Sequence, residues 1–231
     1  MAIYITGDIH GDMSVRKLGR RNFEEGRGLA RDDYVIILGD FGLVWDGRDS
    51  DEWWLDWLER CPWTTLFIDG NHENHPLLAT YPTRGFHGGM VHEVRPHVLH
   101  LMRGWAFDLC GMSFLAMGGA ASHDREYRTE GVSWWPEEVP SEDERSLCEQ
   151  TLSEIGWRVD HVLTHDAPSD LLPKLGLRCG RSMEADDYER WLNSIAYGLD
   201  FGHWWFGHFH VDWDMGGGFV ALYDSIVEVV E

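Results

Sequence analysis

Seven side chains able to hold a metal ion stand just behind short apolar runs of this 231-residue chain: Asp8 and His10, Asp40, Asn71, His165, and His208 with His210. The runs are Ala2 to Thr6, Tyr34 to Leu38, Thr65 to Ile68, His161 to Thr164 and Trp204 to Phe206, and each reads as a buried strand. Asp8 and Asp40 are 32 positions apart and Asp40 and Asn71 are 31 apart, close to the roughly 30 residues of one strand-helix-strand unit. Parallel strands joined by right-handed crossovers bring their carboxyl ends to one edge of a sheet, where open α/β sheets gather their ligands. The seven groups are therefore expected to meet in one site.

At 26.7 kDa the chain can bury a substantial core and fits one domain, residues 1–231, better than two. Met1 leads straight into a strand-like run, and no apolar stretch approaches the roughly 18 residues of a membrane span. A cytoplasmic location without membrane association is expected. Cys61, Cys110, Cys148 and Cys179 are widely spaced with no CxxC, which suggests neither a disulfide framework nor a thiolate zinc site. Forty acidic against 19 basic residues give a formal charge of −21. That charge repels phosphate backbones at long range and argues against broad nucleic-acid binding. A small anionic substrate stays open, because two divalent cations would concentrate four positive charges at one spot. Several of the 13 tryptophans cluster, as in Trp53, Trp54 and Trp57 and in Trp134 and Trp135, and read as packing surface.

A helix is expected near Ser14, another over Asp49 to Arg60, an acidic one from Ser141 to Ile155 and a fourth between Met183 and Ala196. Met90 to Met117 alternates and breaks at Gly111, the pattern of antiparallel hairpins. Gly118 to Pro140 reads as a long functional loop, and Val211 to Asp214, Phe219 to Tyr223 and Ile226 to Val230 as closing strands. The expected class is α/β, two mixed β-sheets packed face to face as a sandwich flanked by helices.

Asp8 and His10 are two apart, as are His208 and His210, so each pair can point to one side of an extended segment. Mixed imidazole and carboxylate donors favour a transition metal, with manganese expected first and iron, zinc or nickel as alternatives. Two such ions about 3.5 to 4 Å apart, sharing one carboxylate, bind a phosphate oxygen and acidify a bridging water for in-line attack. Asp40 is the bridging candidate.

Gly7-Asp8-Ile9-His10-Gly11, Gly39-Asp40, Gly70-Asn71-His72-Glu73, Thr164-His165 and Gly207-His208-Phe209-His210, in that order, resemble the five blocks of the calcineurin-like metallophosphoesterases. The resemblance implies an αββα fold and a dinuclear centre. Asp8, His10 and His210 would hold one ion, Asn71, His165 and His208 the other, and Asp40 would bridge them. It also implies that His72 stays off the metals and acts as general acid, a role that an imidazole near its ordinary pKa of about 6.5 can fill at neutral pH. Glu73 is one candidate to orient His72.

The protein phosphatases and dinucleoside tetraphosphate hydrolases of that family carry an Asp-Arg pair soon after the second block. Here Asp40 is followed by Phe41, and Arg48 comes later without that pattern. The stretches Gly118 to Arg128 and Gly131 to Trp135 instead resemble bacterial and phage-borne members of unassigned substrate. Arg125 or Arg128 is the candidate replacement clamp, since a guanidinium fork matches phosphate geometry, with Asn71 as a further substrate contact. His75, His87, His92, His97, His100, His161 and His203 are assigned to packing or surface. The expected activity is metal-dependent phosphate-ester hydrolysis, of a phosphorylated small molecule or side chain. The alternatives are a phosphodiesterase or nuclease on the same centre and a non-catalytic scaffold.

Overall fold

The computed structural model describes residues 1–230. Six strands come first: β1 (Ile3–Thr6), β2 (Tyr34–Leu38), β3 (Thr64–Ile68), β4 (Thr83–Phe86), β5 (Gly89–Arg95) and β6 (Val98–Leu101). They belong to a seven-stranded sheet closed by the last strand of the chain. A second sheet is built from β7 (Trp105–Leu109), β8 (Met112–Met117), β9 (Arg158–Thr164), β10 (Asp200–Phe206), β11 (Trp213–Gly216) and β12 (Phe219–Ala221). The final strand, β13 (Ile226–Val229), returns to pair with β1. The first sheet runs β13-β1-β2-β3-β6-β5-β4 and the second β11-β12-β10-β9-β8-β7. Both are mixed, with β1, β2, β3 and β6 parallel in one and β8, β9, β10 and β12 parallel in the other.

Alternation along β1 shows why the sheets stack. Ile3 and Ile5 enter a core shared with Leu38, Phe114, Leu163 and Trp205, while Tyr4 faces a different core with Phe23, Leu55 and Phe67. Each face of the first sheet is thus covered, one by the second sheet and one by α1 (Asp49–Glu59), with the short α2 (His75–Leu78) beside it. The outer face of the second sheet is covered by α3 (Glu142–Glu154), α4 (Leu172–Cys179) and α5 (Asp187–Gly198) around Trp204, Phe206 and Tyr188. This is the expected helix-flanked sandwich. No helix among the described residues is long and apolar enough to cross a membrane.

Two local expectations fail. Between β1 and β2 there is no α-helix at Ser14, only 3-10 turns at Gly11–Met13, Val15–Leu18 and Glu25–Gly28. Ser14 makes no capping bond, and glycines at 19, 26 and 28 break any longer run. Helix α4 was not foreseen, because Asp166-Ala167-Pro168 reads as a break and Gly176 lies inside its eight residues. The hairpin region is as expected, except that the chain changes sheets between β6 and β7.

Candidate metal centre

All seven proposed ligands leave the carboxyl ends of parallel strands: Asp8 and His10 after β1, Asp40 after β2, Asn71 after β3, His165 after β9, His208 and His210 after β10. The strand-end loops are laced together before any side chain is considered. Ile9 and His10 donate N–H bonds to the Asp40 carbonyl at 3.2 and 2.7 Å, and Gly207 donates to the His165 carbonyl at 3.1 Å.

The proposed ligands fall into two groups, and between them His10 and Asp40 form a third with His72, their donor atoms also within 4.8 Å of one another. In the first, Asp8 Oδ2 is 3.6 Å from His10 Nε2 and 3.3 Å from His210 Nε2, and the two imidazole nitrogens are 2.9 Å apart. In the second, His165 Nε2 is 3.2 Å from Asn71 Oδ1 and 3.3 Å from Asp40 Oδ1, with the ligating atoms of Asp40, His165 and His208 all within 4.8 Å of one another. Donors about 2.1 Å from a common ion stand roughly 3.0 to 3.4 Å apart in octahedral or tetrahedral geometry, so these spacings suit a cation. Asp40 also approaches His10, its Oδ2 lying 3.7 Å from Nδ1, the ring nitrogen other than the Nε2 that faces Asp8 and His210.

A second observation supports the fit. Asp8 Oδ2 and His208 Nε2 are buried without a hydrogen-bond partner among the described residues, a costly state unless something else binds them. Their opposite sides are fixed. His208 N–H donates to Asp8 Oδ1 at 3.1 Å, and His72 N–H to Asp40 Oδ1 at 2.7 Å. His165 Nδ1–H donates to the Leu38 carbonyl at 2.7 Å, which sets the tautomer that leaves Nε2 bare for a metal.

Backbone strain is concentrated here. His10, Asp40, His208 and His210 all have positive φ, between 42° and 63°. Such conformations cost of order 1 kcal/mol or more each and persist only where surrounding structure enforces them. Gly207 permits a close approach, since a Cβ there would lie 2.2 Å from Asp8 Oδ1.

Electrostatics follow the geometry. Burial would raise the Asp40 carboxyl, but positive charge on His165 and its hydrogen bond, with His72 and His10, hold it below the ordinary range. Burial would depress His165, but Asp40 and then Asp8 push it up to about 10. Two buried carboxylates thus draw positive charge into the centre from whatever source is at hand. Burial lowers His10, and burial followed by the charge of His165 holds His208 well below its ordinary value.

Supporting contacts come from segments that the sequence reading used differently or passed over. Asn71 Nδ2 donates to Ser122 Oγ at 3.0 Å, and Ser122 Oγ donates to the buried Glu138 at 2.8 Å, so the amide is turned with its oxygen toward His165. Arg125 donates to the same Glu138 at 2.7 Å and lies over the Trp134 ring. One edge of its guanidinium is therefore tied to a buried carboxylate, and among the described residues it makes no hydrogen bond to a proposed ligand. Arg128 does reach the centre, lying against both ring nitrogens of His72 at 2.9 and 3.4 Å. Burial, with the charge of Arg128 opposing Asp40, lowers the His72 pKa. Glu73 does not orient His72; it accepts the N–H groups of Phe41 at 2.6 Å and Gly42 at 3.2 Å, bracing the loop behind Asp40.

Lys17 was also passed over. Its buried ammonium donates to the carbonyls of Gly7 at 3.0 Å, Asp8 at 2.9 Å and Tyr223. The Tyr223 ring in turn stacks on His210 with centroids 4.5 Å apart. Short polar bonds to main-chain carbonyls carry no side-chain periodicity, so nothing in the sequence pattern marks this lysine.

The histidines assigned to packing serve other networks. His75, His92 and His100 gather with Arg103 around the buried Asp69, where Arg103 and His100 override burial and hold the carboxyl well below its ordinary value.

No curated protein matches the chain significantly. The sequence model of the calcineurin-like phosphoesterases matches residues 1–212, which takes in every donor named above, and the chain belongs to that family.

Proposed function

We propose that this protein hydrolyses phosphate monoesters with a dinuclear centre in which Asp8, His10 and His210 hold one divalent ion, Asn71, His165 and His208 hold the other, and Asp40 joins them. The observation that carries this reading is the position of Asp40, 3.3 Å from His165 on one side and 3.7 Å from His10 on the other. Manganese is the expected metal, with iron, zinc or nickel also suited to these donors. When bound, the two ions supply the charge that neutralises the phosphate and a water acidic enough to attack it.

The protein's own residues do the rest. Asn71 presents its amide oxygen to the centre because Ser122 holds its nitrogen. His72, half-buried beside Arg128, gives a ring proton to the departing oxygen; burial and the Arg128 charge lower its pKa, which makes the protonated ring a stronger acid and its population at neutral pH smaller. Arg128 stabilises negative charge on the same side. The formal charge of −21 favours a small phosphorylated molecule or side chain over nucleic acid and fits a cytoplasmic setting.

The test is to remove metal, restore manganese, and compare p-nitrophenyl phosphate with bis-p-nitrophenyl phosphate. Hydrolysis of the monoester, lost in Asp40→Ala, is expected; preference for the diester would move the assignment to a phosphodiesterase. His72→Ala should slow an alkyl phosphate about 10² to 10⁴-fold and p-nitrophenyl phosphate much less, because p-nitrophenolate departs unaided. Equal effects on both esters would remove His72 from the acid role.

A further inference from the structure

Of the arginines in the loop from Gly118 to Pro140, Arg125 is bound to Glu138 and Arg128 is paired with Asp124 and lies against His72, so a cation with an unpaired head beside the centre has to come from another segment. Helix α4 ends at Cys179, whose thiol lies 3.7 Å from the Phe209 carbonyl, between His208 and His210. The chain then turns at Gly180, with φ of 70°, and Arg181 follows. Arg181 N–H donates to the Gly176 carbonyl at 2.9 Å, and a Cβ at Gly176 would sit 2.6 Å from the Arg181 carbonyl oxygen. The backbone of Arg181 is pinned against α4 while its side chain is exposed.

Arg181 lines a cavity of about 430 Å³ whose walls include Asn71, His123, Asp124, His208 and His210. Three of these are proposed metal ligands. Asp124, the acidic wall, is already paired with Arg128 at 2.7 Å. Among the described residues Arg181 makes no side-chain hydrogen bond or ion pair, so its charge is uncompensated beside the centre.

We propose that Arg181 is the substrate's phosphate clamp, acting from the cavity it shares with Asn71, His208 and His210. This rests on the reading of the centre as a phosphate-ester hydrolase. A guanidinium held by its backbone but free at its head can form two charge-assisted bonds to a phosphate without first breaking a pair.

The experiment is calorimetric titration of the manganese-loaded protein with inorganic phosphate, beside steady-state kinetics on p-nitrophenyl phosphate, for Arg181→Met, Arg181→Lys and Arg178→Met. Arg181→Met should weaken phosphate binding and raise KM about 10- to 100-fold, the range of one charge-assisted contact, with unchanged metal stoichiometry and thermal midpoint. Arg181→Lys should recover part of the loss, and Arg178→Met, at an exposed position of α4, should bind phosphate within about twofold of wild type. Phosphate affinity of Arg181→Met within twofold of wild type would overturn the proposal. Tight phosphate binding that depends on Arg181, in a protein that hydrolyses no ester, would uphold the clamp and count against the hydrolase reading alone.

Discussion

The proposed ligands are oriented by neighbouring side chains that are within reach of mutation. Ser122 carries the clearest case, since it joins Asn71 to the buried Glu138. Ser122→Ala should free the Asn71 amide to turn and weaken metal binding about 10- to 100-fold, the usual effect of removing a group that orients a ligand; competition with a chelating dye measures it, and unchanged affinity would remove Ser122 from that role. Lys17 holds the other group. Lys17→Met should lower occupancy of the Asp8, His10 and His210 ion more than that of its neighbour, read as loss of one of two bound manganese ions. Equal loss of both ions would point to general unfolding. Neither partner was legible in the sequence, because a serine 51 positions from Asn71 and a lysine bound to carbonyls leave no periodic trace.

Helices α3 and α5 were legible within a few residues because each carries a capping box, Ser141 with Glu144 and Asp186 with Glu189. Glu189 has a second role. Burial raises its carboxyl from 4.5 to about 7, next to the buried Asp166. A proton held more tightly in the folded than the unfolded state stabilises the fold below pH 4.5, and that contribution is lost as pH rises through about 7. Half-buried His92 and buried His161, both lowered to about 4 chiefly by burial, act in the opposite sense, their contribution being lost as pH falls from 6.5. Glu189→Gln keeps the cap and removes one titration. Its thermal midpoint, relative to wild type, should therefore rise between pH 5 and 7.5 and level off above 8; a constant difference across that range would contradict the assignment. The missing helix at Ser14 and the unforeseen α4 fail for the same reason, since glycine and proline there were read without the tertiary contacts that decide what they do.

Across the whole molecule, the seven candidate residues meet at the carboxyl ends of parallel strands, although these strands belong to two sheets and the candidates lie as many as 200 positions apart, as His10 and His210 do. The rule that parallel strands deliver their carboxyl ends to one edge could not show that the second sheet contributes the face opposite the first, or that a buried Glu138 would capture Arg125. Because ligands from both sheets converge, metal should lock the sandwich as a unit, raising unfolding free energy by about 2.7 kcal/mol per site at a hundredfold excess over Kd. A chelator should lower the thermal midpoint correspondingly, as read by calorimetry. The central claim is tested most directly by diffraction from manganese-loaded crystals at the manganese edge. Two anomalous peaks about 3.5 to 4 Å apart, one against Asp8, His10 and His210, the other against Asn71, His165 and His208, and both touching Asp40, are the result expected. No peak at these residues, or a single ion that leaves Asp40 unbound, would contradict it.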